Sequence, residues 1–405
     1  MMKKNYTIGI FTDTFRPQKN GVVVFLESTL PLLARRNKVI LFAPGEKKFK
    51  MEKVNKNLRI YWIPAKQFPF YEGYRIAAFS YFELKRILKK EKVDVVHCHA
   101  PMVLALQGLF AAKGLGIPTV STYHTHLPDY VPHLLKGRLP NFLNRLSHYP
   151  VKKMIKHVYS ASDCVTAPTA ELVQELHGYG IHNVKEVPLG VDAIRFKNGK
   201  KYKKLFMKKY NIQPNLQIIL YAGRVSFEKM LEVLLHAFKK IESKNRLLLI
   251  VGDGPYKKKY CNLARRLGIK NILFTGFVED KLLPAAYACA DVFVSPSDTE
   301  TFGLVFTEAM AAGVPVIGVN RLGAAEVVRH CRNGYLVKPG DYNAMAMRMA
   351  ALLADRKLRK QLGAEGRKTA GRYSLANCVG KMGRIYQGLV KSKGLNTKKY
   401  KNKYS

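Results

Sequence analysis

Two carboxylates, Glu300 and Glu308, flank Gly303 in "SDTETFGLVFTEAM", residues 297–310 of a chain with 69 Lys and Arg against 28 Asp and Glu. The wider stretch "FVSPSDTETFGLVFTEAMAAGVPVI" has the pattern of a strand, a loop, a helix opening near Gly303 and another strand. Free N–H groups of a helix's first turn, with the positive end of its dipole, bind phosphate. A glycine there lets backbone approach a ligand closely. Glu300 on the loop and Glu308 about one turn into the helix could then accept hydrogen bonds from hydroxyls on either side of a phosphate, which is how a sugar is read. The plainer alternative is that Glu300 favours the helix start and Glu308 sits on a solvated face.

Two cations follow another strand. "YAGRVSFEKML" ends a strand at Gly223 and delivers Arg224 and then Lys229 into a loop. Arg offers a planar fork and Lys a point charge, a pair suited to a diphosphate. Against this, Lys229 is one of many lysines in a basic chain. Near the start, "FTDTFRPQKNGVVVF" places Asn20-Gly21 between a strand and an apolar helix. It has neither the GxxxxGK(S/T) nor the GxGxxG spacing, so neither an ATPase nor a dinucleotide oxidoreductase is supported. A lone Asn-Gly is ordinarily a turn. Histidines cluster at strand ends in "VVHCHAP" and "STYHTHLPDY" without a partner carboxylate pair, which speaks against a metal site. His124 is the candidate for touching substrate, whereas His97 and His99 read as structural. The chain has no DxD, which argues against a Mg²⁺-bridged diphosphate and leaves that charge to Arg224 and Lys229.

The elements that must carry these residues alternate from end to end. "YTIGIF", "KVILFA", "LRIYWI", "DVVHCH", "PTVSTY" and "DCVTAP" form one series of β-branched runs; "QIILYAG", "RLLLIVG", "NILFTG", "DVFVSPS" and "VPVIGV" form a second. Runs of this kind between helices signal parallel sheets covered on both faces. With 405 residues, two α/β domains of doubly wound parallel sheet are expected, 1–190 and 191–373, with a linker at about 190–197. A helix over 374–395 and a disordered basic tail over 396–405 follow. In such sheets ligands bind beyond the carboxyl ends of the strands, and two domains facing across a cleft leave room for two substrates.

The net charge of +41 predicts attraction to a polyanion. Six cysteines without a CxxC fit a reducing cytoplasm rather than a disulfide framework or zinc site. The first residues enter a strand at once, leaving no room for a signal peptide, and no apolar stretch reaches the ~18–20 residues of a spanning helix. "KGRLPNFLNRLSHYPVKKMIKHVYSAS" is basic and amphipathic, and "KQFPFYEGYRIAAFSYFELKRILKK" sets aromatics beside lysines. Both suit an anionic membrane surface, with Asp129, Lys136, Arg138, Arg145, Lys152 and Lys153 as the candidate acceptor or membrane face. Helices that merely cover a sheet are amphipathic too.

Arg224 with Lys229 in "GRVSFEK", Glu300 and Glu308 in "ETFGLVFTEAMAAGVPV", "PLGVD" at 188–192 and the N-terminal "NGV" together resemble the family 4 retaining glycosyltransferases of the GT-B fold. The resemblance covers nearly the whole chain except the tail. "FTDTFRPQKNGV" with "TYHTHLPDYVPHLLKG" is most similar to the branch that glycosylates membrane lipids, the diacylglycerol glucosyltransferases. The family implies that Arg224 and Lys229 hold the donor diphosphate and that Glu308 binds the ribose hydroxyls. Glu300 and the amides of Phe302, Gly303 and Leu304 would orient the sugar, and His124 would touch it and assist at the reacting centre. It further implies that Gly21 closes on the diphosphate, that Gly223 ends the donor-binding strand and that backbone near Val278 meets the base. Met230 stands where the family often has glycine.

The implied reaction moves a hexose from a nucleotide sugar, UDP-glucose in that branch, to a lipid hydroxyl with retention and without a metal or other cofactor. Glycosidases also use two carboxylates, but need no cationic phosphate clamp. The implied location is cytoplasmic, peripheral on the inner face of the cell membrane. Competing readings are a same-fold enzyme with a soluble or polysaccharide-precursor acceptor, for example one using GDP-mannose; an epimerase or phosphorylase of that fold; and a basic nucleic-acid scaffold. The last lacks any helix-turn-helix, RNP or zinc-knuckle signature, so no nucleic-acid partner is expected.

Overall fold

The computed structural model describes residues 6–18, 20–68, 75–124, 126, 128, 148–242 and 245–401. They divide into two compact units, Met1–Gly190 with Leu375–Ser405, and Val191–Ser374.

The first unit is built on β1 (Thr7–Thr12), β2 (Lys38–Pro44), β3 (Lys50–Lys53), β4 (Leu58–Ile63), β7 (Val95–His99), β8 (Thr119–Thr122), β9 (Cys164–Ala167) and β10 (Val184–Glu186), with a separate hairpin of β5 (Ala65–Gln67) and β6 (Arg75–Ala77). The sheet order is β10-β9-β8-β7-β1-β2-β4-β3, parallel except for β3 on β4. Helices on both faces explain why β1 and β7 are almost wholly buried. The winding reverses between β1 and β7, so the loops after these two strands meet. There the buried Asp13 accepts the backbone N–H groups of Met102, Val103, Leu104 and Ala105 at 2.6–3.1 Å, satisfying the first turn of the Leu104–Lys113 helix. The helix Gly21–Ala34 is capped by Asn20, whose Oδ1 accepts from Val23 N at 3.0 Å.

The final helix, Leu375–Lys401, belongs to this unit and runs into the segment expected to be a tail, whose residues 402–405 lie outside the described residues. Leu375, Cys378, Met382, Ile385 and Tyr386 recur at helical spacing and are buried, making one apolar stripe.

The second unit contains β11 (Gln217–Ala222), β12 (Arg246–Val251), β13 (Ile272–Gly276), β14 (Val292–Val294), β15 (Val316–Val319) and β16 (Gly334–Val337), all parallel in the order β13-β12-β11-β14-β15-β16. Numbered within the unit this is 3-2-1-4-5-6, the doubly wound order, whose reversal lies between β11 and β14. The loops after those two strands are the ones that carry Arg224 with Lys229 and Glu300 with Gly303.

Strands β3, β5, β6, β10 and β16 have no counterpart among the runs read from the sequence. Each is three or four residues long and lies at a sheet edge or in the small hairpin, where no continuous apolar run is needed.

Candidate active site

The first element of the site is the turn after β11. Gly223 has φ +154°, and the Gly252-Asp253-Gly254 segment after β12 lies directly against it: a Cβ on Gly252 would sit 1.9 Å from the Gly223 carbonyl oxygen, and one on Gly254 2.3 Å from that of Val225. Two glycines in "VGDGP" thus let a neighbouring strand end support the backbone around Arg224. They were legible as a Gly-x-Gly after a strand but are not among the residues singled out above. Arg224 is half-buried; desolvation lowers the proton affinity of its guanidinium while Glu228 opposes the change, and it keeps its charge.

A short 3-10 turn, Phe227–Lys229, brings Lys229 back toward the sheet. The turn ends at Met230, with φ 50° and ψ 39°. A side chain in this left-handed region costs roughly 1–2 kcal/mol, which a glycine there avoids. Met230 adopts the geometry without glycine and packs against the core of the unit.

The loop after β14 is stitched to this turn. Lys229 Nζ lies 2.7 Å from Glu300 Oε1, with both side chains about four-fifths buried. Ser297 and Thr299 hydroxyls donate to the Glu228 carbonyl at 3.3 and 3.4 Å. On its other side the loop is fixed by Gly323, whose N–H donates to the Glu300 carbonyl at 2.7 Å. A Cβ on Gly323 would stand 2.3 Å from Phe302 Cα, so only glycine allows this approach. Phe302 is buried edge-on against Tyr373.

Gly303 then opens the helix Leu304–Ala312 with φ 73°, and a Cβ there would meet Phe306 Cδ2 at 2.6 Å. Gly303→Ala should therefore cost about 2 kcal/mol or more, from backbone strain plus the clash, and lower Tm; a thermal melt checks it. An unchanged Tm would mean the helix start can relax and does not hold Leu304 in place.

Glu308 lies on the fifth residue of that helix and is not on a solvated face, the plainer alternative for it: the side chain is 9% exposed. Tyr287, from the helix Leu283–Cys289, donates its phenol proton to Glu308 Oε2 at 2.6 Å. Burial pushes the carboxyl up to about 7, while the Tyr287 hydrogen bond and Arg195 pull the other way and Asp280 adds to the rise. Asp280 is in the loop after β13 that also holds buried Val278, and its carbonyl accepts from Arg195 Nη2.

In the first unit three histidines form a buried group. His97 is held at both ring nitrogens, by Tyr386 OH at 2.7 Å and Thr122 Oγ1 at 2.6 Å. His99 Nδ1 meets His124 Nε2 at 2.7 Å, and Phe25 packs against both rings. Burial depresses all three, His97 and His124 to about 3, so they are neutral at physiological pH. Lys152 and Lys153 are exposed on the helix His148–Ser160; Asp129, Lys136, Arg138 and Arg145 lie outside the described residues. Among the described residues no group of three His, Cys, Asp or Glu could hold a metal ion.

Known proteins share this arrangement of chain. A family model for glycosyl transferases group 1 matches residues 203–369, and one for glycosyltransferase family 4 matches residues 19–195. The sulfoquinovosyl transferase SQD2 of Arabidopsis thaliana is 30% identical over 70% of this chain and 54% of its own, so the chain spans about half the length of that relative. The alpha-monoglucosyldiacylglycerol synthase of Streptococcus pneumoniae is 30% identical over 76% of this chain and 70% of its own. Among solved structures, the sucrose-phosphate synthase of Thermosynechococcus elongatus superposes with a TM-score of 0.77 over 96% of this chain and 100% of that one, at 20% identity, a likeness of fold. With cation and acid meeting at the β11/β14 reversal and both family models matched in order, the chain belongs to the family 4 glycosyltransferases and has their GT-B fold.

Proposed function

We propose that this glycosyltransferase moves a hexose from a nucleotide-diphosphate sugar, UDP-glucose, to a hydroxyl of a membrane lipid, with the anomeric configuration retained. The observation that supports the reading is the Lys229–Glu300 contact at the strand-order reversal, a cation and an acid side by side where a diphosphate and its sugar would meet. Arg224 and Lys229 neutralise the departing diphosphate, so the reading invokes no metal or cofactor. Glu308 accepts from the ribose hydroxyls, Glu300 and the amides at 302–304 orient the sugar, and Val278 lies by the base. His124, neutral and held by His99, contacts the sugar as a hydrogen-bonding group rather than as a cation. The acceptor attacks on the face the diphosphate leaves, and the leaving phosphate oxygen takes its proton; accumulation of a covalent glycosyl-enzyme would overturn this step.

A lipid acceptor is supported by an exposed aromatic ridge in the first unit. Phe79 and Phe82 are each 76% exposed and Phe110 46%. Tyr81 contacts both Phe79 and Phe82, and Gln107 ties the segment to the Phe110 helix through Ser80 N and Ala78 O. Lys89 and Lys90, at the end of the Phe82 helix, and Lys113, at the end of the Phe110 helix, are exposed. Apolar rings with a basic rim fit an anionic bilayer surface. No helix among the described residues is long and apolar enough to cross a membrane, and the proposed placement is peripheral, on the cytoplasmic face.

The test is transfer of labelled sugar from UDP-glucose into liposomes with and without anionic phospholipid, with Glu300→Ala as control. Glycolipid that rises with anionic lipid and vanishes in the control supports the reading. Donor consumption without labelled lipid moves it to a soluble acceptor; turnover with GDP-mannose alone changes the donor.

Gly21 gives a sharper check. It opens its helix without a left-handed φ, and a Cβ on it would meet nothing within 4 Å, so the fold does not require glycine there. Gly21→Ala should leave Tm unchanged or slightly raised, since alanine gains up to ~1 kcal/mol in a helix interior and less at its first residue. Sugar transfer should nevertheless fall about tenfold, because the added methyl obstructs the diphosphate's approach to backbone. Full transfer by this variant would remove Gly21 from the donor site.

A further inference from the structure

A glutamate has three side-chain torsions that are free in water, yet in Glu308 one carboxylate oxygen is already committed. Tyr287 OH donates to Oε2 at 2.6 Å, and Tyr287 is itself completely buried. Its ring stands edge-on to Phe196 at 5.2 Å and 86°, and packs on Phe293 of β14 at 5.7 Å. Phe196 is buried in the short helix Ala193–Lys197, the first element of the second unit after the chain enters it at Val191. Asp192 caps that helix, accepting from Arg195 N at 3.0 Å, and Arg195 reaches the Asp280 carbonyl. A continuous buried column therefore runs from the start of the unit through Phe196 and Tyr287 to the Glu308 carboxylate.

We propose that Tyr287 is a positioning residue for ribose recognition: its phenol fixes the plane of the Glu308 carboxylate, and Phe196 fixes Tyr287. The proposal rests on the reading that Glu308 accepts from the ribose hydroxyls. An unpinned glutamate must be ordered when ligand binds, at a cost in rotamer freedom; a carboxylate held at Oε2 is oriented beforehand. The vicinal 2′ and 3′ hydroxyls need two acceptor lone pairs with a defined relative direction, so rotation of the carboxylate by even a few tens of degrees loses one of the two bonds. The phenol also spends its one proton on Oε2, which makes it a director of Glu308 and not a second donor to ribose.

The experiment is a ligand cycle on the full chain, with UDP and 2′,3′-dideoxy-UDP bound by calorimetry to the wild type, Tyr287→Phe, Phe196→Leu and Glu308→Gln, and the GDP pair run alongside because ribose is common to both bases. In Tyr287→Phe, UDP affinity should fall about tenfold while dideoxy-UDP affinity changes less than about twofold, the size of one charge-assisted hydrogen bond read through its partner. Phe196→Leu, which keeps the phenol but loosens it, should give a smaller loss with the same selectivity. Equal losses for both ligands, or no loss for either, would overturn the proposal, since a merely structural tyrosine does not distinguish the hydroxyls. If Glu308→Gln itself leaves the ratio of the two affinities unchanged, the ribose reading of Glu308 falls and the proposal with it; if Glu308→Gln shifts the ratio and Tyr287→Phe does not, the proposal alone falls.

Discussion

Lys229→Ala is expected to lower kcat by about 10²–10³-fold, the usual cost of removing one preorganised donor from developing transition-state charge. The negative charge of the departing diphosphate grows as the glycosidic bond breaks, so a cation aimed at it helps the transition state more than the ground state. Lys229 is well fitted to that task because it is already desolvated: its side chain is 19% exposed and its partner, Glu300, 18%. In a setting this dry a point charge acts more strongly than on the surface. The same burial sets a second consequence, for stability. Without Lys229, Glu300 keeps a carboxylate in a confined loop with no cation at 2.7 Å, so Tm should drop as well. The double variant Lys229→Ala/Glu300→Gln separates the two effects, since it restores Tm by removing the stranded charge but leaves kcat low. Arg224→Ala should be similarly slow, and Lys229→Arg only partly active, because a planar fork does not replace a point charge at one oxygen. Single-turnover rates with saturating UDP-glucose decide the matter. A Lys229→Ala rate within threefold of wild type would place the diphosphate elsewhere.

That Lys229 and Glu300 would pair was not legible in the sequence, although each was named for chemistry. Their meeting depends on β11 lying next to β14 in the sheet, a tertiary fact that strand-by-strand periodicity does not encode. The central strands themselves were plain, since a parallel strand buried on both faces must be apolar along its whole length, as "QIILYA" is. Edge strands such as β10, "VKE", face no such demand and left no signal. Burial of Glu308 was equally hidden: the helical repeat places it, but only the Leu283–Cys289 helix, packed above it with Tyr287, turns a solvated position into an enclosed one. Tyr287 carried no signal of its own within "LPAAYAC". Asp13 is a parallel case in the first unit, because the amides it caps lie about ninety residues further along the chain. Gly252 and Gly254 are different, for a Gly-x-Gly directly after a strand is a local signal of close backbone approach.

Donor binding is expected to tighten as pH rises from about 5.5 to 8, by roughly 30-fold in total, through ionisation of Glu308. Burial raises this carboxyl from the ordinary 4.5 to about 7 in the donor-free protein. A raised native pKa means that the folded state holds a proton which the unfolded chain has already released. The contribution of Glu308 to stability is therefore fully present below pH 4.5 and is lost as pH rises toward 7, by about 3 kcal/mol in all. Ligand binding has the opposite dependence. Ribose hydroxyls donate hydrogen bonds and are met best by an ionised carboxylate, so below pH 7 each unit of acidity removes up to about tenfold in affinity, and above it the affinity levels off. The diphosphate diester of a nucleotide sugar keeps its charge throughout this window and adds no limb of its own. Calorimetric titration of UDP-glucose across pH 5.5–8.5 reads the limb, and two variants assign it. Glu308→Gln should abolish it, leaving a weak, pH-independent affinity. Tyr287→Phe should move it to higher pH, because the phenol's hydrogen bond is one of the influences holding the carboxyl down. A limb that survives Glu308→Gln belongs to another group, and the enclosed carboxylate would then have no part in choosing the pH at which the donor binds.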